Sequence, residues 1–321
     1  MKGIEQESLL KKANLSLIKP RFASTRELEL VHSSEYISLV KRVAESGGGF
    51  LGEYTMASQE SFEVARLAAG GAIKAVSKVM SGEFRNAFVL ARPPGHHAGH
   101  GYALGFCIFN NVALAAAYLL QNLGLHRVLI LDMDVHHGNG TQEIFYATDK
   151  VLYISLHEDP TEYPETGFVD ETGRKEGEGY TVNIPLPFGS GDPAYWKAVK
   201  TIVAPIAMQY KPQFVLVSAG FDGYYRDMVG ELSLSAYIYP AIFQAIKDVA
   251  HHSCEDRMVA VLEGGYQFWF LRKVVPAAVG RIAGINMRIR DARPFLDLNA
   301  EREAEKTLEH VKRVQSGFWE L

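Results

Sequence analysis

The chain has 321 residues, of which 47% are hydrophobic and 22% charged, and carries a formal net charge of −4. That balance fits a globular domain and lacks the basic field of a dedicated nucleic-acid binder. Two cysteines, Cys107 and Cys254, make no disulfide framework. The longest apolar run, residues 112–120, is too short to cross a bilayer, and the first seven residues hold no apolar signal region, so a cytoplasmic protein is expected.

Apolar, β-rich runs alternate with helical patterns along the chain. The first helix is expected over residues 60–79, with Ser58 as N-cap and Gly82 near its end. A strand follows at 87–91, a helix at 111–122, and strands at 128–131, 151–156 and 181–184. A helix over 193–210 then leads to a strand at 214–218, a helix over 236–251, a strand at 258–262 and a helix over 271–285. Residues 300–314 read as a charged terminal helix, with Phe318 and Trp319 docking back on the body. Strands alternating with helices imply parallel pairing, hence an α/β fold: a three-layer α/β/α sandwich with a central, mainly parallel sheet.

Chemistry gathers just after the strands. The run Leu129-Ile-Leu-Asp-Met-Asp-Val-His-His137 places Asp132, Asp134 and His136 at every second residue, on one side as the chain leaves the sheet. Open α/β sheets bind ligands at that end, so Asp134 and His136 are the leading metal-ligand pair, with Asp222 of Ser218-Ala-Gly-Phe-Asp222 as third ligand. Three protein ligands leave a position open for water, the mark of a catalytic site. Oxygen and nitrogen donors suit Zn²⁺, and Fe²⁺, Co²⁺ or Mn²⁺ also fit.

Arg92-Pro-Pro-Gly-His-His-Ala98 sets His96 and His97 on a stiff turn, where adjacent imidazoles can divide proton work, and Asp132 can orient one ring. Tyr266, after Glu263-Gly-Gly265, can stabilise an oxyanion or simply pack against a helix start. Phe106 and Tyr163 suit either a channel wall or the core. His100, His126, His157, His251, His252 and His310 lack such company and read as solvated or satisfied histidines. Gly47-Gly-Gly49 precedes no Lys-Ser/Thr pair and is no phosphate loop.

Taken together, and in this order, the motifs resemble the histone deacetylase superfamily, which shares the arginase-like fold. The resemblance runs from about Glu27 to the C-terminus. It is carried by Arg92–Ala98, Gly105-Phe-Cys-Ile-Phe-Asn-Asn111, Asp132-Met-Asp-Val-His-His-Gly-Asn-Gly-Thr141, Ser155-Leu-His157, Ser218–Asp222 and Glu263–Tyr266, in forms similar to class II and prokaryotic members. It implies one catalytic domain over residues 1–321 and zinc held by Asp134, His136 and Asp222. His97 is then the general base, His96 an electrostatic or acid partner paired with Asp132, and Tyr266 the polariser of an acyl carbonyl. Gly105, through its carbonyl, and the rings of Phe106 and Tyr163 would line an acyl-lysine tunnel. A monovalent cation, K⁺ or Na⁺, is implied at Asp132, Asp134, His136, Ser155 and Leu156, and a second at Phe145, Thr148, Val151 and Tyr180.

The resemblance has departures. The family's opening strand and its His-Pro-Glu segment are missing, which leaves a sheet edge open. Glu53 and Tyr54 stand where many relatives place a substrate-gripping Asp, Gly223-Tyr224 replaces Ala-His, Glu165 replaces a glycine, and Asn139 gives His97 a weaker charge partner than the class I Asp. The implied reaction is hydrolysis of the amide of an acetylated amine. The substrate expected is acetyl-lysine in a protein, with an acetylpolyamine or other small acetylated amine as the alternative and a catalytically silent acyl-lysine binder as the third reading. Neither membrane nor direct nucleic-acid binding is expected, and an oligomer is compatible with the sequence.

Overall fold

The computed structural model describes residues 2–6, 9–12 and 15–321. Two short helices, α1 (Lys2–Gln6) and α2 (Leu9–Lys12), and α3 (Thr25–Leu28) precede α4 (Ser34–Glu45). A hairpin of β1 (Gly48–Gly52) and β2 (Thr55–Ser58) leads into α5 (Ser61–Met80) and β3 (Asn86–Val89). Then come α6 (Asn111–Gln121), β4 (Val128–Asp132), α7 (Asn139–Phe145), β5 (Val151–Glu158) and β6 (Thr181–Leu186). The rest is α8 (Asp192–Ala198), α9 (Ala204–Tyr210), β7 (Phe214–Ala219), α10 (Ile238–Cys254), β8 (Met258–Leu262), α11 (Phe268–Ile282) and α12 (Leu298–Gln315).

Six strands form one parallel sheet in the order β3-β8-β7-β4-β5-β6. Its central strands are buried on both faces, so they read as unbroken apolar runs rather than alternating ones. Their side chains still divide with a period of two. Leu129, Leu131, Val215 and Val217 face one core with Ile206, Phe243, Val274 and Leu308, while Val128, Ile130, Phe214 and Leu216 face the other with Val40, Ile73 and Leu114. This is the expected three-layer sandwich. Among the described residues β3 pairs only with β8, so that edge of the sheet is open.

All six predicted strands appear, the one at 258–262 with the expected bounds and the other five with shifted ends. The helix expected over 193–210 is interrupted by a π turn over Val199–Val203. Pro205 supplies no N–H to a carbonyl one turn back, and its ring crowds that carbonyl. The helix expected over 271–285 starts three residues earlier, at Phe268, and stops before Gly284, which has a φ of +80°. Ser58 does not cap α5: Glu60 is the N-cap residue, without a side-chain cap bond, and Ser58 Oγ accepts from Glu60 N instead. The terminal docking holds, with Trp319 Nε1 donating to Gly179 O at 2.9 Å. No helix among the described residues is long and apolar enough to cross a membrane.

The strand order positions the site. From β4 the chain steps outward through β5 and β6, then returns to the other flank of β4 as β7, which places the topological switch between β4 and β7. Asp132 is level with Ser218 on one side and Ser155 on the other. The loops after β4 and β7 therefore leave the sheet side by side, opening the crevice where such sheets take ligands.

Candidate metal centre

The loop after β4 folds around its own carboxylates. Asp134 N donates to Asp132 Oδ1 at 3.2 Å, His136 N to Asp134 Oδ1 at 3.1 Å, and Val135 N to Asp222 Oδ1 at 3.1 Å. Ligand atoms of Asp134, His136 and Asp222 consequently lie within 4.8 Å of one another. Asp222 Oδ2 is buried and has no hydrogen-bond partner, a costly state for an ionised oxygen unless a cation meets it. Two glycines make the room: a β-carbon at Gly220 would lie 2.3 Å from Asp134 Oδ2, and one at Gly264 would lie 1.8 Å from Asp222 Oδ2. Burial and the Asp134 charge push Asp222 well above the usual carboxylate range, whereas Asp134 is held below it because His96 and His136 outweigh its burial. This donor set fits a divalent ion.

His96 and His97 stand beside this cage with ring centroids 4.1 Å apart. His96 Nδ1 lies 3.1 Å from Asp132 Oδ2 and His97 Nδ1 lies 2.7 Å from Asn139 Oδ1. Their surroundings split them. Burial pulls His96 down, but the Asp134 and Asp132 carboxylates outweigh it and hold it up at about 10. Burial, then the neighbouring His96 and His136, push His97 well below the ordinary imidazole value. A divalent ion would lower both without removing Asp132 from His96. Two adjacent groups driven apart in this way are suited to different proton roles.

Rings enclose the approach. Tyr163 sits edge-on to His97 at 5.3 Å and His136 at 5.4 Å, and Tyr54 extends this wall at 5.9 Å from Tyr163. Opposite, Phe106 lies 5.7 Å from Tyr266. Gly105, at φ +52°, must be a glycine, because a β-carbon there would lie 2.3 Å from Tyr163 Oη and 2.5 Å from His97 Cδ2. The hairpin holds this segment, with Gly105 N donating to Glu53 O and Phe106 N to Thr55 Oγ1. Asp227 Oδ2 accepts from Tyr266 N and Gln267 N, while Arg92 donates to Gly265 O and lies over the Tyr266 ring. Burial, then Asp222 and Asp134, hold the Tyr266 phenol far above its ordinary value, so it stays a donor.

Around Asp132, Tyr153 Oη donates to Oδ2 at 3.2 Å, and Ser155 Oγ meets His157 Nδ1 at 2.8 Å, with Leu156 between. His157 is a satisfied buried histidine whose other nitrogen faces Gly167 O at 2.9 Å. Phe145 ends α7, Thr148 N donates to Phe145 O, Val151 opens β5, and Tyr180 O accepts from Tyr153 N. His100, His126, His251, His252 and His310 are exposed, and Cys107 and Cys254 are buried free thiols.

Sequence reasoning assigned no role to two carboxylates that the fold brings in. Glu158, at the end of β5, places Oε1 3.7 Å from His136 Nε2 and accepts Glu231 N on Oε2. Glu263 accepts Gly95 N at 2.6 Å and His96 N at 3.2 Å, fixing the turn that carries both histidines. Burial pushes each of them up to about 7. Their positions at strand ends were the available signal.

A histone deacetylase domain model matches residues 1–282. The chain belongs to the histone deacetylase family. It is 39% identical over 338 residues to a probable deacetylase of Archaeoglobus fulgidus, covering 99% of this chain and 90% of that one. It is 39% identical over 296 residues to the human polyamine deacetylase HDAC10, covering 88% of this chain and 42% of the human protein. The crystal structure of the HDA15 HD domain superimposes with a TM-score of 0.88 at 36% identity, over 99% of this chain and 85% of that domain. As a family member the chain is an amidohydrolase of the deacetylase class, and its sheet is the arginase-deacetylase type.

Proposed function

We propose that this family member is a zinc-dependent deacetylase that cleaves the amide of acetyl-lysine in proteins. The observation that carries the reading is the Asp134–His136–Asp222 cage, whose ligand atoms lie within 4.8 Å of one another, beside the His96 and His97 rings held by Asp132 and Asn139. Zinc bound by these three residues supplies Lewis acidity, polarising the acyl carbonyl and lowering the pKa of water. Neutral His97 takes the proton of the attacking water. His96, held by Asp132, keeps positive charge against the developing oxyanion, and the proton taken by His97 passes to the leaving amine. The Tyr266 hydroxyl donates to the same oxyanion. Phe106 and Tyr163 form the apolar walls of the acyl channel and the Gly105 carbonyl orients the amide.

The same reading assigns a monovalent cation, K⁺ or Na⁺, to Asp132, Asp134, His136, Ser155 and Leu156, and a second to Phe145, Thr148, Val151 and Tyr180. Buried free thiols at Cys107 and Cys254 suit a reducing, cytoplasmic setting. A second substrate reading, a small acetylated polyamine, is favoured by the acidic residues Glu53, Glu162 and Glu165 next to the Tyr54 and Tyr163 rings.

Assaying zinc-, iron- and cobalt-loaded protein against acetyl-lysine peptides and acetylated polyamines separates these. Faster turnover of the peptides supports the first reading, and a preference for polyamines supports the second. No turnover of either by any metal form sinks both.

A further inference from the structure

A line of polar side chains leads away from His97 to the protein surface. His97 Nδ1 lies 2.7 Å from Asn139 Oδ1, and Asn139 Nδ2 donates to Tyr102 Oη at 3.1 Å. The Tyr102 ring and the Glu143 carboxylate stand together over Gly99, so the phenol faces a carboxylate, which, after burial, raises its pKa. His97 is buried, Asn139 and Tyr102 are half-buried, and Glu143 is exposed. Asn139 and Glu143 are four residues apart on α7, so they share a face. Tyr102 and Glu143 both lie over Gly99, where a β-carbon would be 2.3 Å from Tyr102 Cζ and 2.5 Å from Glu143 Oε2.

The sense of each bond follows from the outermost group. A carboxylate only accepts, so the single Tyr102 proton points to Glu143. The Tyr102 oxygen is then left to accept, and the Asn139 amide turns its nitrogen towards it. That leaves the Asn139 oxygen for His97. An amide oxygen only accepts, so neutral His97 carries its proton on Nδ1 and has a free lone pair on Nε2. Without Tyr102 and Glu143 nothing in this line distinguishes the two ends of the amide. A flipped Asn139 would then place N–H against Nδ1 and drive the proton to Nε2.

We propose that Tyr102 and Glu143 are positioning residues which, through Asn139, fix the tautomer of His97 so that Nε2 is the basic nitrogen. The catalytic consequence rests on the base role proposed above for His97; the tautomer itself does not. The test uses zinc-loaded full-length protein with ¹⁵N-labelled histidine and reads both imidazole nitrogen shifts and steady-state kinetics. Wild-type protein is expected to show His97 protonated on Nδ1. Tyr102→Phe, and Glu143→Leu as a second, exposed variant, should move His97 towards a mixture of tautomers. Tyr102→Phe should lower kcat by about tenfold while KM and zinc affinity stay within about twofold. In an Asn139→Asp background, where both side-chain oxygens accept, Tyr102→Phe should cost less than about twofold in kcat. Unchanged nitrogen shifts in both variants would overturn the proposal, as would an equal kcat loss in the Asn139→Asp background. If wild-type protein turns over no acylated amine, the functional reading fails and the nitrogen shifts alone still decide the tautomer.

Discussion

Gly264 and Asp222 are so close that a β-carbon on the glycine would lie 1.8 Å from Asp222 Oδ2 and 2.5 Å from Asp134 Oδ2. The Gly264 amide also donates to Asp134 Oδ2 at 2.7 Å. One backbone position therefore sets both the spacing and the orientation of two carboxylates of the candidate cage. Neither oxygen can yield without leaving the cage.

Gly264→Ala is accordingly expected to weaken zinc binding by about tenfold or more. Most of the fold should persist, because the added methyl meets ligand oxygens rather than the apolar core. Chelator competition measures the affinity, and circular dichroism of the metal-free protein checks the fold. Wild-type affinity in this variant would mean that Asp222 does not ligate.

Tyr266→Phe removes a hydroxyl and little else. The Tyr266 amide keeps its bond to Asp227 and the ring keeps Arg92 above it. The expected outcome is unchanged zinc content and a loss in kcat on the order of 10²-fold, with little change in KM, as for other lost oxyanion donors. Near-normal turnover on an acetyl-lysine substrate would remove the phenol from the chemistry.

Much of this was legible in the chain. Strands such as Val128–Asp132 and Phe214–Ala219 are buried on both faces, so each is a bare apolar run, and the acids that end them stand out. The hairpin Gly48–Ser58 was missed because its glycines and exposed Phe50 and Met56 match no buried pattern. Helix α7 opens with Asn139-Gly140, a pair that reads as a turn. Glu158, Tyr102 and Glu143 gain their partners only from tertiary packing, which local spacing does not encode.

Glu158 makes a prediction of its own. It faces the far nitrogen of His136, and a carboxylate there favours a ligand imidazole with its proton on that side. Glu158→Gln keeps the volume and an acceptor for Glu231 N but loses the charge. Zinc affinity should fall by about tenfold. An unaltered dissociation constant would leave Glu158 as a loop anchor only.

His32 gives a pH dependence that needs no metal. Asn110 N donates to its Nε2 at 3.0 Å, so the neutral ring carries its proton on Nδ1 and donates to Gly99 O at 2.8 Å. The ring thereby ties the end of the histidine loop to the start of α6. Protonation would set N–H against N–H. Burial accordingly pushes His32 down to about 4, from an ordinary 6.5. The unfolded chain thus takes up the proton first as pH falls. The stabilisation is fully present above about pH 6.5, is lost progressively towards pH 4, and amounts to about 3 kcal/mol at roughly 1.4 kcal/mol per pKa unit. Thermal unfolding of metal-free wild-type and His32→Gln protein across this range provides the check. The variant should be less stable near neutrality and lose less on acidification, since His157, also held near 4 by burial, titrates in both proteins. Parallel losses in the two proteins would show that His32 is not the titrating group.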